Sequence, residues 1–278
     1  MGFQLGNLYV EKGQKTCGFL KLPFTEDELP VTLIYGREEG PTVLVDGGIH
    51  NAEYVGIECV TGLAKQLQPE DIKGILIMIH IVNVNGFQAR TVSVSAEDGK
   101  NLNRVFPGNE NGTYTDKLAY FMEKEIFSKV DYYIDVHNGD WFEDLTPFIN
   151  CVGNAPAETV AGAERMAQAA DMPFYVKSQS GKGGAYNYAG SLGIPSVLIE
   201  RGCNGMWSEE EVAASQKDVK NILRRIDVLK TKPTLSEMQM RVPRHMHHAH
   251  YIDSEKAGCW FPKKKAGQVA RAGELLGE

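Results

Sequence analysis

No apolar stretch in this chain approaches the roughly 20 residues that cross a bilayer, and the N-terminus lacks the basic-then-apolar order of a secretory leader. The expectation is a soluble, cytoplasmic protein without a membrane partner. Cysteine is scarce: Cys17, Cys59, Cys151, Cys203 and Cys259 are odd in number and widely scattered. That excludes a disulfide framework and a thiolate zinc site, so they are read as reduced and mostly buried. Positive charge is also short, with 29 Lys and Arg against 36 Asp and Glu and a net charge of −7, which gives no electrostatic reason to expect nucleic acid or an anionic membrane. The basic run Lys263-Lys264-Lys265 is too brief to change this. Internal repeats and low-complexity tracts are missing as well.

What is present is length and alternation. The 278 residues suffice for one large α/β domain with a small appendage. Runs rich in β-branched residues predict strands over 31–35, 42–46, 75–82, 132–136, 148–152 and 196–199. Those at 75 and 196 are apolar at nearly every position, as central strands covered on both faces are. Between them, Val55, Cys59, Val60, Leu63 and Leu67 repeat at helical spacing, predicting a helix over 52–67 with Glu53 in its first turn. Further helices are predicted over 116–130, over 157–170, and from the Ser208/Glu211 capping box to about Leu229. Thr231-Lys232-Pro233 ends that pattern, and the pieces 238–242 and 246–252 alternate. The fold class read from this is α/β, a mixed central sheet flanked by helices, with a catalytic domain over 1–232 and a small β module over 233–278.

Three segments carry metal chemistry: Gly48-Ile49-His50-Asn51-Ala52-Glu53, Asn101-Leu102-Asn103-Arg104 and Asp135-Val136-His137-Asn138-Gly139. A histidine and a glutamate three apart at a strand-to-helix junction, joined by a distant histidine, supply two imidazoles and one carboxylate. That donor set suits a hydrolytic zinc that keeps one position open for water. His50 follows a strand and a Gly47-Gly48 turn; His137 follows another strand, with Asp135 placed to orient an imidazole from behind or to bond backbone amides. Glu200 closes the strand at 196–199, where a buried carboxylate without a function would be costly; it is read as the base that takes a proton from water and returns it to a leaving amine. The competing reading pairs Glu200 with Arg201 at the surface.

Arg90 and the Asn103-Arg104 pair lie in a loop-like stretch, where arginine serves to stabilise an oxyanion or to clamp a carboxylate. His80, inside an apolar strand, is read as a hydrogen-bonded core histidine. The cluster His245-Met246-His247-His248-Ala249-His250 cannot converge on one ion as a strand, because alternate side chains face opposite ways. Gly181-Lys182-Gly183-Gly184 lacks the spacing of a phosphate loop, and Tyr186 and Tyr188 after it are expected on a mobile loop.

Taken in order, Gly-Ile-His50-x-x-Glu53, Arg90, Asn101-Leu-Asn103-Arg104-Val-Phe-Pro-Gly, Asp135-x-His137 and Glu200 resemble the succinylglutamate desuccinylase/aspartoacylase family, a branch of the carboxypeptidase A-like zinc hydrolases. The resemblance covers about residues 1–205 and extends more weakly into the tail, where Gly258-Cys-Trp-Phe-Pro262 and Gly267-Gln-Val are similar to turns of the family's C-terminal β domain. It implies a zinc carboxypeptidase-like sheet, one zinc ion per chain on His50, Glu53 and His137, and Glu200 as general base and acid. It also implies Arg90 as oxyanion stabiliser, and Asn103 and Arg104 as holders of a carboxylate on a small-molecule substrate. Three features depart from the family: Asn51 where many members have glycine, expected to narrow or re-aim the site; Arg201, expected to alter substrate charge preference; and a tail expected to be either incomplete or completed by another segment.

The function expected is a zinc-dependent deacylase cleaving an N-acyl amino acid or related small amide. Its rivals are a metallocarboxypeptidase acting on peptides or cell-wall stems and a non-catalytic zinc-binding interaction protein, against which Glu200 argues. Oligomeric state is open, and a homo-oligomer is compatible with the composition.

Overall fold

Apolar runs meet in a nine-stranded sheet in the computed structural model, which describes residues 2–238 and 240–278. An N-terminal hairpin of β1 (Gly2–Leu5) and β2 (Leu8–Glu11) stands beside it. The sheet strands are β3 (Lys15–Lys21), β4 (Glu28–Tyr35), β5 (Glu38–Gly47), β6 (Lys73–Ile79), β7 (Tyr132–His137), β8 (Phe148–Val152), β9 (Phe174–Ser178), β10 (Ser196–Glu200) and β11 (Arg244–Met246). Their order is β11-β9-β8-β10-β7-β5-β6-β4-β3. The centre, β10-β7-β5-β6, is parallel, and the antiparallel pairs β8/β10, β4/β6 and β3/β4 flank it. The six strands predicted over 31–35, 42–46, 75–82, 132–136, 148–152 and 196–199 are found, and β6 and β10 are interior strands, as their unbroken apolar runs predict. The described residues of the alternating pieces 238–242 and 247–252 of the expected β module form no strand.

Helices α1 (Tyr54–Gln66), α2 (Val84–Ala89), α3 (Tyr114–Phe121), α4 (Ala157–Ala167), α5 (Ala185–Ser191), α6 (Glu209–Arg225) and α7 (Leu235–Met238) complete the chain. The stripe Val55, Cys59, Val60 and Leu63 of α1 is buried as its spacing predicts. Gly56 lets this helix approach β7 closely: a Cβ there would stand 2.4 Å from the Val136 carbonyl oxygen. Gly56→Ala is therefore expected to cost about 1–3 kcal/mol by overpacking, read as a lower urea midpoint at unchanged slope.

Some boundaries differ from the expectation. The 116–130 segment starts at Tyr114 behind a Thr113/Asp116 capping box, then widens to π geometry over Met122–Ile126 and tightens to a 3₁₀ turn over Phe127–Lys129. Ser208 Oγ accepts the Glu211 amide and opens α6 as predicted, but the helix stops at Arg225, with Asp227 at φ +58° beyond it. In the tail, β11 adds to the main sheet in parallel beside β9, and 235–238 is helical. After Met246 the described residues form no strand; the single bridge Pro262–Gly277 closes the end. No helix among the described residues is long and apolar enough to cross a membrane.

The tail is tied to α6 by Glu237, whose carboxylate meets Lys220 Nζ at 2.5 Å and Arg224 Nη2 at 3.1 Å and accepts the Thr234 amide at 2.9 Å. Burial would raise its pKa, but these partners hold it at about 2, below the ordinary 4.5. A depressed folded pKa stabilises above the ordinary value and is lost as pH falls from about 4.5 to about 2. Glu237→Gln is accordingly expected to lose about 1–2 kcal/mol at neutral pH, a difference that closes near pH 2 in paired denaturant titrations.

Candidate active site

Strands β5, β7 and β10 run side by side in parallel, so their carboxyl ends form one edge. The chain leaves β5 through α1 to β6 on one side while β7 lies on the other, and such a reversal of strand order opens a crevice. Register then fixes the partners: Glu200 stands across from His137, and Asp46 across from Asp135. After β5 the chain turns at Gly48, whose φ of +70° suits glycine, and delivers His50 to the same edge.

His50 Nδ1 lies 2.7 Å from Glu53 Oε1, and His137 Nδ1 lies 2.8 Å from Glu53 Oε2. The outer nitrogens face oxygens. Asn101 Oδ1 accepts the Asn103 amide at 2.8 Å, so it faces His50 Nε2, 3.1 Å away, as an acceptor. Asp135 Oδ1 lies 2.8 Å from His137 Nε2, in an ionic contact oblique to a directed hydrogen bond. These oxygens place the imidazole protons on Nε2 and leave lone pairs on Nδ1. Two lone pairs and a carboxylate then converge, with ligand atoms all within 4.8 Å of one another. Three acceptors facing one space call for a cation, and the donor set fits a divalent metal.

Glu53 occupies the position just before α1, one residue earlier than the first turn expected for it, and its side chain does not cap the helix. Asn138 caps it instead, with its Oδ1 accepting the Val55 amide at 3.0 Å, while its own backbone amide donates to Glu53 Oε2 at 3.1 Å. The Glu53 carboxylate is thereby released toward the histidines. Burial opposes its charge, yet the two imidazoles, His137 foremost, hold its pKa down at about 2. Burial likewise opposes charge on His137, and Asp135 and Glu53 override it, raising its pKa well above the usual range.

Glu200 faces the cluster with its Oε2 buried and without a hydrogen-bond partner. Burial first, then the neighbouring Glu53 charge, raises its pKa well above 4.5. The surface pairing with Arg201 is not formed. Arg201 points to the opposite face, as strand alternation requires, where its Nε meets Asp218 Oδ2 at 2.8 Å and its Nη2 the Asp171 carbonyl at 3.0 Å. The altered charge preference expected from Arg201 accordingly has no contact to act through. Asn51 is also turned away, donating to Thr91 and accepting from Asn83 Nδ2 at 3.0 Å.

His50, Glu53 and Glu200 line a cavity of about 520 Å³ together with Asn103, Arg104 and Lys182. Asn103 is buried, and its Oδ1 accepts the Ala185 amide at 2.8 Å, pinning the start of α5. Arg104 is exposed and braced by Nη1 on the Asn103 carbonyl at 2.9 Å. Arg90 sits on an exposed left-handed turn at the end of α2 and is not among the residues lining the cavity. Tyr186, expected on a mobile loop, is instead buried in α5. His80 bonds Thr32 Oγ1 at 2.9 Å, as a core histidine does, and His245 stacks on Tyr175 at 4.7 Å, far from a convergent ligand set. Sequence reasoning missed Asn138, Lys182 and the lining Glu143; position directly after a ligand was the one available signal for Asn138.

Residues 39–226 match the family described as succinylglutamate desuccinylase/aspartoacylase catalytic domain. The N-alpha-acetyl-L-2,4-diaminobutyric acid deacetylase of Halomonas elongata is 30% identical over 90% of this chain and 72% of its own. The product-bound ectoine utilization protein of Ruegeria pomeroyi superposes with a TM-score of 0.87 at 27% identity, over 98% of this chain and 84% of that one. The succinylglutamate desuccinylase/aspartoacylase of Rhodobacter sphaeroides gives 0.84 at 27% identity, over 96% and 83%. With its sheet, its two-histidine, one-glutamate cluster and these relatives in agreement, the chain belongs to the succinylglutamate desuccinylase/aspartoacylase family of zinc-dependent hydrolases.

Proposed function

We propose that this enzyme is a cytoplasmic deacylase that cleaves N-acyl amino acids or closely related small amides, using one zinc ion held by His50, Glu53 and His137. The observation that carries the reading is Glu200, a half-buried acid with a buried, unpartnered oxygen on the strand next to His137. The name of the Halomonas elongata relative, a deacetylase of an acylated amino acid, supports the substrate class. When bound, zinc supplies an acidified water and polarises the amide carbonyl. Glu200 takes the proton of the attacking water on its free oxygen and delivers it to the departing amine. Its raised proton affinity suits both halves of that cycle, since the acid must hold a proton between them. Asp135 and Asn101 fix the rings by their outer nitrogens.

Of the two expected arginines, Arg104 reaches the cavity wall, so we assign it, with Asn103, the substrate carboxylate. An oxyanion role for Arg90 has no support in its exposed position. In this reading the catalytic unit spans 1–232 and the residues from 233 are an accessory module. Arg104→Gln is expected to raise KM for acyl amino acids about 10- to 100-fold with a much smaller change in kcat, the loss of one charged hydrogen-bonded contact; equal KM values for free-acid and amide forms of the substrate would remove the assignment. The reading as a whole is tested by amine release from a panel of N-acyl amino acids and C-terminal dipeptides. Release from acyl amino acids alone is the expected result, and release from dipeptides alone makes the enzyme a carboxypeptidase.

A further inference from the structure

Among the described residues, two that line the cavity carry a buried side-chain atom without a hydrogen-bond partner. One is Glu200, which the proposed reaction uses; the other is Asn187 of α5, which it does not. Asn187 is 8% exposed, and no donor among the described residues reaches its Oδ1. Its amide nitrogen has a use: burial pushes the Tyr186 phenol up to about 12, and a hydrogen bond from Asn187 works against that rise. The orphan is therefore a carbonyl oxygen, a group rarely left unpaired in a protein interior. Its place in the fold says what it meets. The turn into α5 sets Asn187 beside Asn103: a Cβ on Gly184 would stand 3.0 Å from Asn103 Oδ1 and 3.5 Å from Asn187 Nδ2. Asn103 and Arg104 are assigned the substrate carboxylate, and in an α-amino acid the acylated nitrogen is one carbon away from that carboxylate. An acceptor next to the carboxylate holders is thus placed for the one N–H that every N-acyl α-amino acid carries.

We propose that Asn187 accepts the N–H of the scissile amide on its Oδ1 and so sets the plane of that amide for attack. With the N–H held, the lone pair that develops on nitrogen as the carbonyl carbon becomes tetrahedral is left open to the proton from Glu200. No bond is made or broken at Asn187 itself. The consequence is a rule for substrates: a secondary amide completes the site, whereas an ester oxygen or an N-methylated nitrogen leaves Oδ1 unpaired and is disfavoured. The inference rests on the deacylase reading above and on its placing of the substrate carboxylate.

Acid release from the best acyl amino acid of the panel above, and from the O-acyl hydroxy acid of the same skeleton, tests it on zinc-loaded protein. The readout is the amide-to-ester ratio of kcat/KM, in which differences in active fraction and in carboxylate binding cancel. Asn187→Asp retains an oxygen acceptor and is expected to keep the ratio within a few-fold of the parent. Asn187→Leu, of similar size, removes the acceptor and is expected to lower the ratio about 10- to 100-fold, the effect of one buried hydrogen bond left unmade. An unchanged ratio in Asn187→Leu, or equal falls in both variants, overturns the proposal. The parent also supplies a readout free of variants. N-methylation of the acylated nitrogen is expected to lower kcat/KM about 100-fold or more, and comparable turnover of the two amides overturns the proposal even if neither variant folds. Failure of the deacylase reading is distinguishable, because the parent would then release acid from no acyl amino acid at all.

Discussion

Glu200→Gln is expected to reduce kcat about 10³-fold, within the range general acid–base groups contribute, with zinc content unchanged. The substitution preserves volume and removes the one property that matters. An amide at 200 can neither take a proton from water nor return it to an amine, and no other acid on β10 can stand in, because Leu198 is the neighbour on that face and Arg201 is committed to Asp218 on the other. The fold should tolerate the change. Glu200 is half-buried, with one buried and unpartnered oxygen and a proton affinity raised by desolvation and by Glu53, so a neutral side chain relieves a desolvation cost there. Thermal stability of the metal-free variant is therefore expected to match or exceed that of the parent. Near-normal turnover in a zinc-loaded Glu200→Gln protein would falsify the general-base assignment. Loss of turnover together with loss of zinc would instead make Glu200 part of the metal site.

The residues that sequence reading located share one property: each follows an apolar β-branched run that could only be a buried strand. Thr42–Asp46, Tyr132–Val136 and Ser196–Ile199 announce β5, β7 and β10, and the polar residues just after them fall at the carboxyl edge. That logic finds His50, Glu53, His137 and Glu200 without knowledge of which strands are neighbours. Asn138 acts from the end of β7 on the start of α1, so its role appears only once the packing of that helix is known. β9 and the strands of the N-terminal hairpin are four or five residues long with mixed exposure, and give no strong period. α5 was hidden by the glycines at 181–184 that precede it, which read as a loop. Its N-terminus is pinned instead by Asn103 from 82 positions away. Arg90 shows the opposite failure: a residue of suitable chemistry in a suitable interval, carried by a helix end to an exposed turn.

Glu53→Gln is expected to abolish zinc binding and, with it, turnover, a loss on the order of 10⁴-fold or more, because the acidified water and the polarised carbonyl disappear together. The reason lies in the tautomers. Asn101 and Asp135 face the outer nitrogens of His50 and His137 and so favour protons there, and Glu53 completes three inward-facing acceptors that a cation satisfies. A glutamine turns one acceptor into a donor, which can bond an Nδ1 lone pair directly. The site is then satisfied without metal. The remaining oxygen still accepts the Asn138 amide, so the start of α1 and the cap on Val55 should persist. Thermal unfolding with and without zinc separates the possibilities. The parent should gain about 4 kcal/mol at a zinc concentration roughly 1,000 times its dissociation constant, and the variant should gain nothing while retaining the circular dichroism of the parent. An undiminished zinc-induced shift in the variant would place the metal elsewhere, with His50 and His137 reduced to a hydrogen-bonded pair around a structural carboxylate.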